Sequence, residues 1–214
     1  VQTCALPIFI SGHLDSYDVA TGGIDCGTGI GPMMEAARMI ALSGAKPKRT
    51  ILFVAFAGEE FGLLGAKSYV KTHAKELGKI ANLFNRDGGP TPPVGISVPQ
   101  AMYDDFVEVC KPVKEIRADY PFEVKVAKPF KRPTQSGGTD ASVFAVEGVP
   151  TFGFNTQDIK GYNFSYGEIW HTERDLYTKN IPEYQEHAAT VTAVVALGIA
   201  NLSKQLSREG MHKK

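Results

Sequence analysis

Three cysteines in 214 residues are too few for a disulfide framework, and an odd number cannot all pair. A disulfide-rich secreted mini-domain is therefore excluded. Neither sign of charge is in excess: 23 Lys and Arg balance 23 Asp and Glu. That balance argues against nucleic acid or an anionic membrane as the main partner. No apolar run approaches the ~20 residues that a membrane-spanning helix needs. Internal repeats and low-complexity linkers are absent. The chain opens on Val1 without a leader and runs almost at once into a dense polar motif. That opening reads as a cut through a larger protein, and a missing signal peptide then says nothing about compartment.

What is present is a globular composition, 43% hydrophobic and 21% charged, at a size one α/β domain can reach. Leu6–Ser11 reads as a short buried strand. Thr50–Ala57 is a continuous apolar run of the kind found in a central parallel strand. Further strands are expected at Ile80–Phe84, at an edge over Val94–Val98, at Phe122–Val126 and at Val149–Phe154. Helical spacing covers Ile30–Leu42, Phe61 to about His73, Tyr103–Val113, Ala141–Val146 and Pro182–Leu206. Pro182 suits a first helical turn. Strands alternating with helices define an α/β class with a mostly parallel sheet.

The acids and histidines fall where such a sheet builds its sites. His13, Glu59–Glu60 and Asp87 each follow an expected strand, on the rim where open parallel sheets bind ligands. Asp25 lies in the glycine-rich Thr21–Gly31 and His171 in the long loop after the last strand, so both can converge there. His13 and Asp15 share a face if the strand continues. Asp15 then reads as the carboxylate that fixes the His13 tautomer, with an ordinary His–Asp hydrogen bond as the alternative. The Gly22–Gly29 stretch does not have the Walker spacing of a phosphate loop, because no Gly-Lys-Ser/Thr follows. A lone Asp25 among glycines suits a bridging metal ligand, with a phosphate-binding loop of another kind or a merely flexible turn as the alternatives. Adjacent acids closing a buried strand are costly without a partner. One of Glu59 and Glu60 would bind metal and the other take a proton from water; solvated acids at a helix N-terminus are the alternative. Loop acid and surface histidine are the corresponding alternatives for Asp87 and His171. His73, His187 and His212 read as surface or dipole-compensating residues, and Cys4 and Cys110 as free thiols. Tyr162, Phe164 and Tyr166 either line a pocket or anchor their loop.

Taken in order, Gly12-His13-Leu14-Asp15-Ser16, Gly22–Gly29, Ala57-Gly58-Glu59-Glu60-Phe61-Gly62, Arg86-Asp87-Gly88-Gly89, Gly138-Thr139-Asp140 and Trp170-His171-Thr172 resemble the co-catalytic zinc exopeptidases. This is the family of bacterial leucyl-type aminopeptidases and carboxypeptidase Q, and the carboxypeptidase Q branch is nearest. Each motif alone is weak; the ordered set spans most of the chain. The resemblance implies a three-layer α/β/α sandwich around a mostly parallel sheet, with residues 1–214 as a single catalytic domain lacking its first strands. It implies that one sheet edge is then open and apolar, an aggregation risk. It implies two zinc ions, bridged by Asp25, with His13 and Asp87 completing one and Glu60 and His171 the other. Glu59 would be the general base, Asp15 the orienter of His13, and Asp140 a supporting acid.

By the same resemblance, substrates would be peptides or dipeptides, a homodimer is open, and the full-length protein would be secreted or periplasmic. Cys26 stands where many relatives carry an acid or Asn, after a peptide bond that the family often holds cis. It reads as inert packing, with oxidation or metal poisoning as the alternative. An amide-processing enzyme with the same site (glutaminyl cyclase-like or N-acyl amidohydrolase) and a binding domain with a vestigial site are the competing functions.

Overall fold

The structure, a computed structural model, describes residues 6–213. Cys4 lies outside them. Strands β1 (Ile8–His13), β2 (Ile51–Phe56), β3 (Asn82–Asn85) and β7 (Thr151–Phe152) form a parallel sheet in the order β2-β1-β3-β7. A second sheet, β5-β4-β8, comprises β4 (Pro93–Pro99), β5 (Glu123–Ala127) and β8 (Phe154–Thr156). Two short strands, β6 (Phe130–Lys131) and β9 (Met211–Lys213), pair with each other. The helices are α1 (Gly27–Leu42), α2 (Leu64–Thr72), α3 (Tyr103–Ile116), α4 (Asp140–Val146) and α5 (Pro182–Asn201).

Side-chain alternation builds the layers. Along β1, wholly buried, Ile8 and Ile10 pack into a core shared with α1, α3 and α5, while Phe9 packs into a second core with α2 and α4. Helices thus cover both faces of the parallel sheet, giving the expected three-layer α/β/α architecture. Several local expectations need correction. The apolar run of β2 lies at an edge of its sheet among the described residues, not at its centre. Its sequence is continuously apolar because both its faces are covered: Ile51 and Phe53 pack on one core, Val54 and Phe56 on the other. Burial is only partial, and Leu52 is exposed. The strand expected at an edge over Val94–Val98 is instead the middle strand of the second sheet. Val149–Phe154 is not one strand: the chain breaks at Gly153 and passes from one sheet to the other.

Helix α1 starts at Gly27, earlier than its apolar spacing indicates, and contains Pro32. Proline has no N–H to give to the carbonyl four residues back. That carbonyl, on Thr28, instead accepts Nε of Arg86 at 2.7 Å. Helix α5 ends at Asn201, short of Leu206; Leu202 is extended. The Arg49 guanidinium donates to the terminal carbonyls of Ile199, Ala200 and Leu202, supplying partners a helix C-terminus lacks. No helix among the described residues is long and apolar enough to cross a membrane.

Candidate metal centre

The carboxyl ends of β1, β2 and β3 open onto one cavity of about 350 Å³, lined by Asp25, Glu59, Glu60, Asp87, Tyr166 and His171 among others. His13 is the last residue of β1 and is 2% exposed. Its Nδ1 donates to the main-chain oxygen of Asp15 at 2.9 Å, so Nε2 faces Asp25 Oδ1 at 3.0 Å and Asp87 Oδ1 at 3.3 Å. The contact that orients the ring is thus made by the Asp15 main chain; the Asp15 carboxylate stands 3.9 Å from Nδ1. That carboxylate has a different task. It accepts the N–H groups of Glu59 and Glu60, each at 3.1 Å, and holds the turn carrying both acids.

Asp25 follows the strand through the glycine-rich loop, and the Asp25–Cys26 peptide is cis. Besides His13, its carboxylate takes the Tyr166 hydroxyl on Oδ2 at 2.6 Å. Glu60 pairs through Oε2 with His171 Nε2 at 2.9 Å. Its Oε1 is buried without a hydrogen-bond partner among the described residues. His13, Asp25 and Glu60 offer ligand atoms all within 4.8 Å of one another, as do His13, Cys26 and Asp87. Asp140, first residue of α4, is 1% exposed, and neither carboxylate oxygen has a hydrogen-bond partner among the described residues.

The protonation chemistry follows from crowding acids in a buried place. Burial pushes Glu59 up to about 8, with the Asp87 charge adding to it. Burial pushes Asp140 up to about 7, reinforced by Asp87 and Asp15 against the opposing pull of His13. Burial, then the charge on Asp25, raises Glu60. Burial disfavours the His13 cation, but its hydrogen bonds to Asp25 and Asp87 outweigh this and the imidazole is raised. Burial likewise opposes ionisation of Asp25, yet His13 and Tyr166 hold its carboxyl below the ordinary range.

The donor set fits metal cations. Among the described residues no Lys or Arg forms an ion pair with Asp25, Glu59, Glu60, Asp87 or Asp140. Buried carboxylates without a cation are expensive, and the orphaned Glu60 oxygen points to a missing partner. Carboxylate and imidazole donors without bound thiolate suit a catalytic zinc-type site. Cys26 is buried, donates Sγ–H to Arg86 O at 3.1 Å, and is raised by burial, which favours inert packing. Cys110 is also free and buried.

The structure brings together His13, Asp15, Asp25, Glu59, Glu60, Asp87, Asp140 and His171. Two residues gain a role only from the structure. Asp175 receives the N–H groups of Ile24 and Asp25 on its two oxygens. Arg86 grips the carbonyls of Thr28, Gly89 and Thr91. Tyr166 lines the cavity, whereas Tyr162 anchors its loop on Glu183 and Tyr184. Two of the remaining histidines are not at the surface. His187 is buried against Tyr120 and donates to Pro93 O at 2.8 Å; burial pushes it down to about 4. His212 is buried and bonds Thr151 Oγ1.

A three-layer α/β/α domain with acids and imidazoles gathered at its strand ends has the layout of a metal-binding domain. Residues 2–195 match Peptidase family M28, and the chain belongs to that family. It is similar to carboxypeptidase Q from Mus musculus, 30% identical over 201 residues, which cover 94% of this chain and 40% of that protein. The chain therefore spans about two-fifths of the length of the curated relatives it matches. Among solved structures, a peptidase M28 precursor from Shewanella amazonensis aligns with TM-score 0.76 and 31% identity, over 96% of this chain and 44% of that one. BSAP, a zinc aminopeptidase from Bacillus subtilis, shares the fold with TM-score 0.69 and 21% identity, over 99% of this chain and 50% of that one.

Proposed function

We propose that this chain is a catalytic domain of a zinc-dependent exopeptidase that hydrolyses dipeptides or short peptides. The observation that carries the reading is the cluster of Asp25, Glu60 and Asp87, with no Lys or Arg partner among the described residues, facing His13 and His171. In this reading two zinc ions are held, one by His13 and Asp87, the other by Glu60 and His171, with Asp25 shared. When bound, zinc makes the attacking water more acidic and polarises the scissile carbonyl. Glu59 accepts the water proton on its carboxylate and delivers it to the leaving amine. Asp15 holds Glu59 and Glu60 in one turn through their N–H groups, so that one acid can serve as base while its neighbour binds. Asp140 supports the rim from the base of α4. The same family resemblance favours a secreted or periplasmic full-length protein.

The test is zinc content by mass spectrometry beside a panel of dipeptides, aminoacyl anilides and N-acyl amides, with a chelator control. Chelator-sensitive dipeptide hydrolysis is expected. Turnover confined to N-acyl amides or to cyclisation of N-terminal glutamine would transfer the site to amide processing. A folded chain with neither bound zinc nor hydrolysis would leave a binding domain. Glu59→Ala should keep zinc and lose nearly all turnover, whereas Glu60→Ala should lose metal. Normal turnover in the first, or full zinc in the second, would reverse these assignments.

A further inference from the structure

The two histidines of the site are held in different ways. His13 has its Nδ1 fixed by the Asp15 main-chain oxygen at 2.9 Å, the usual device for aiming a metal-binding imidazole. His171 has no such contact: among the described residues its imidazole makes one polar contact, the pairing of Nε2 with Glu60 Oε2. Its backbone lies in the left-handed region at φ 59°, which a non-glycine residue adopts only when its surroundings hold it. Its side chain is about one-third exposed, far more open than that of Glu60. Hydrogen bonding and burial therefore leave the ring's orientation under-determined.

Aromatic contact supplies what is missing. The Tyr17 ring stacks on the His171 imidazole at 4.1 Å between centroids and 5° between planes. Phe61 extends the stack beyond Tyr17 at 6.4 Å and 9°. Trp170 meets the same imidazole at 4.2 Å, tilted by 34°. Tyr17, Phe61 and Trp170 come from three separate loops and are all exposed, an uncommon way to spend large aromatic surface unless it positions something.

We propose that Tyr17 is a positioning residue for His171, its ring face fixing the imidazole plane so that Nε2 stays aimed at the Glu60 end of the metal site. The inference rests on the reading of His171 as a metal ligand. It acts through the ring face and not the hydroxyl, which has no hydrogen-bond partner among the described residues.

The experiment uses the full chain loaded with zinc, titrated with a chelator while retained metal is counted, and in parallel loaded with cobalt(II) to read its visible absorption. Tyr17→Ala should release one of the two metals at roughly 10–100-fold lower chelator concentration, the range found when a group supporting a metal ligand is removed, and should change the cobalt spectrum. Tyr17→Phe should behave like the parent. Tyr17→Leu, which keeps apolar bulk without a flat face, should resemble Tyr17→Ala and guards against a folding defect in the smaller variant. Parent-like release and spectrum in Tyr17→Ala or Tyr17→Leu would overturn the proposal, as would a Tyr17→Phe variant as weak as Tyr17→Ala. His171→Ala separates the two levels. If it loses one metal while Tyr17→Ala keeps both, only the positioning role falls; if it keeps both, the ligand reading falls and the inference with it.

Discussion

The Asp175 carboxylate grips two successive main-chain N–H groups, with Oδ1 accepting Ile24 N–H at 2.6 Å and Oδ2 accepting Asp25 N–H at 3.1 Å. It is 1% exposed and lies four positions after His171, so one loop holds a candidate ligand and fixes the backbone of another. Burial raises its carboxyl, partly offset by these two N–H groups. Asp175→Asn keeps the shape but replaces one acceptor by a donor facing an N–H. Leaving one buried N–H unpaired costs about 1–3 kcal/mol. A lower denaturation midpoint and reduced zinc retention are expected; an unchanged midpoint would show that the clamp carries no weight.

Tyr166 reaches the same acid from its side-chain end, donating to Asp25 Oδ2 at 2.6 Å. Burial, and then Asp25 itself, raise the phenol so that it stays a donor. Its ring lies over Gly88 and Gly89, where an added Cβ would sit 3.8 and 3.6 Å from it. Tyr166→Phe removes the hydrogen bond and keeps the ring. We expect little change in thermal stability but roughly 10–100-fold weaker zinc retention. Chelator competition checks this, and identical curves for variant and parent would refute it.

The strand-end residues were legible because sequence marks them locally: an apolar run stops and an acid or imidazole follows, as at His13, Glu59–Glu60 and Asp87. Asp175, Tyr166 and Arg86 carry no such mark. Their partners lie 150, 141 and 58 positions away respectively, and only the fold brings them close. The spacing His171-Thr172-Glu173-Arg174-Asp175 was visible as a sequence but not as a clamp. Asp15 was legible as a partner of His13, yet a two-residue spacing does not tell whether the carboxylate or the main-chain oxygen makes the contact. The edge position of β2 and the sheet change at Gly153 were hidden for a related reason. An apolar run reports covered faces and not which strand, if any, pairs along its edge.

Stability of the metal-free chain should depend on pH in a stated direction. Glu59 is raised from 4.5 to about 8 and Asp140 from 3.8 to about 7, burial leading in both. A carboxyl raised by folding favours the fold while protonated, so its contribution is present below its ordinary value and is lost as pH rises to the folded value. His13, also raised, loses its contribution in the same direction, above its ordinary 6.5. Asp25, lowered, acts oppositely but only as pH falls below 3.8. His187, pushed down from 6.5 to about 4 by burial, also acts oppositely up to its ordinary value, against the combined and larger fall from Glu59 and Asp140. The metal-free melting temperature should therefore fall between about pH 5 and pH 8. Zinc loading should flatten that slope, because the cations replace the protons. Melting curves across this window check both statements; a metal-free chain that gains stability with rising pH would contradict them.

Gly23 is required by a close approach of two backbones. A Cβ there would lie 2.2 Å from Tyr177 N, 2.3 Å from Leu176 C and 2.6 Å from Leu176 O, all main-chain atoms that cannot rotate aside. Gly23→Ala must push the loop before Asp25 away from the segment after Asp175, loosening the N–H clamp described above. Overpacking of this kind costs about 1–3 kcal/mol, and zinc retention should fall with it. Gly31→Ala is the internal control. That glycine lies inside α1, is exposed, and has nothing within 4 Å of an added Cβ. Alanine is the better helix former by about 0.8–1.0 kcal/mol, so Gly31→Ala should raise the melting temperature and leave zinc retention alone. A Gly23→Ala chain as stable and as well loaded as the parent would mean that the two backbones do not meet this closely.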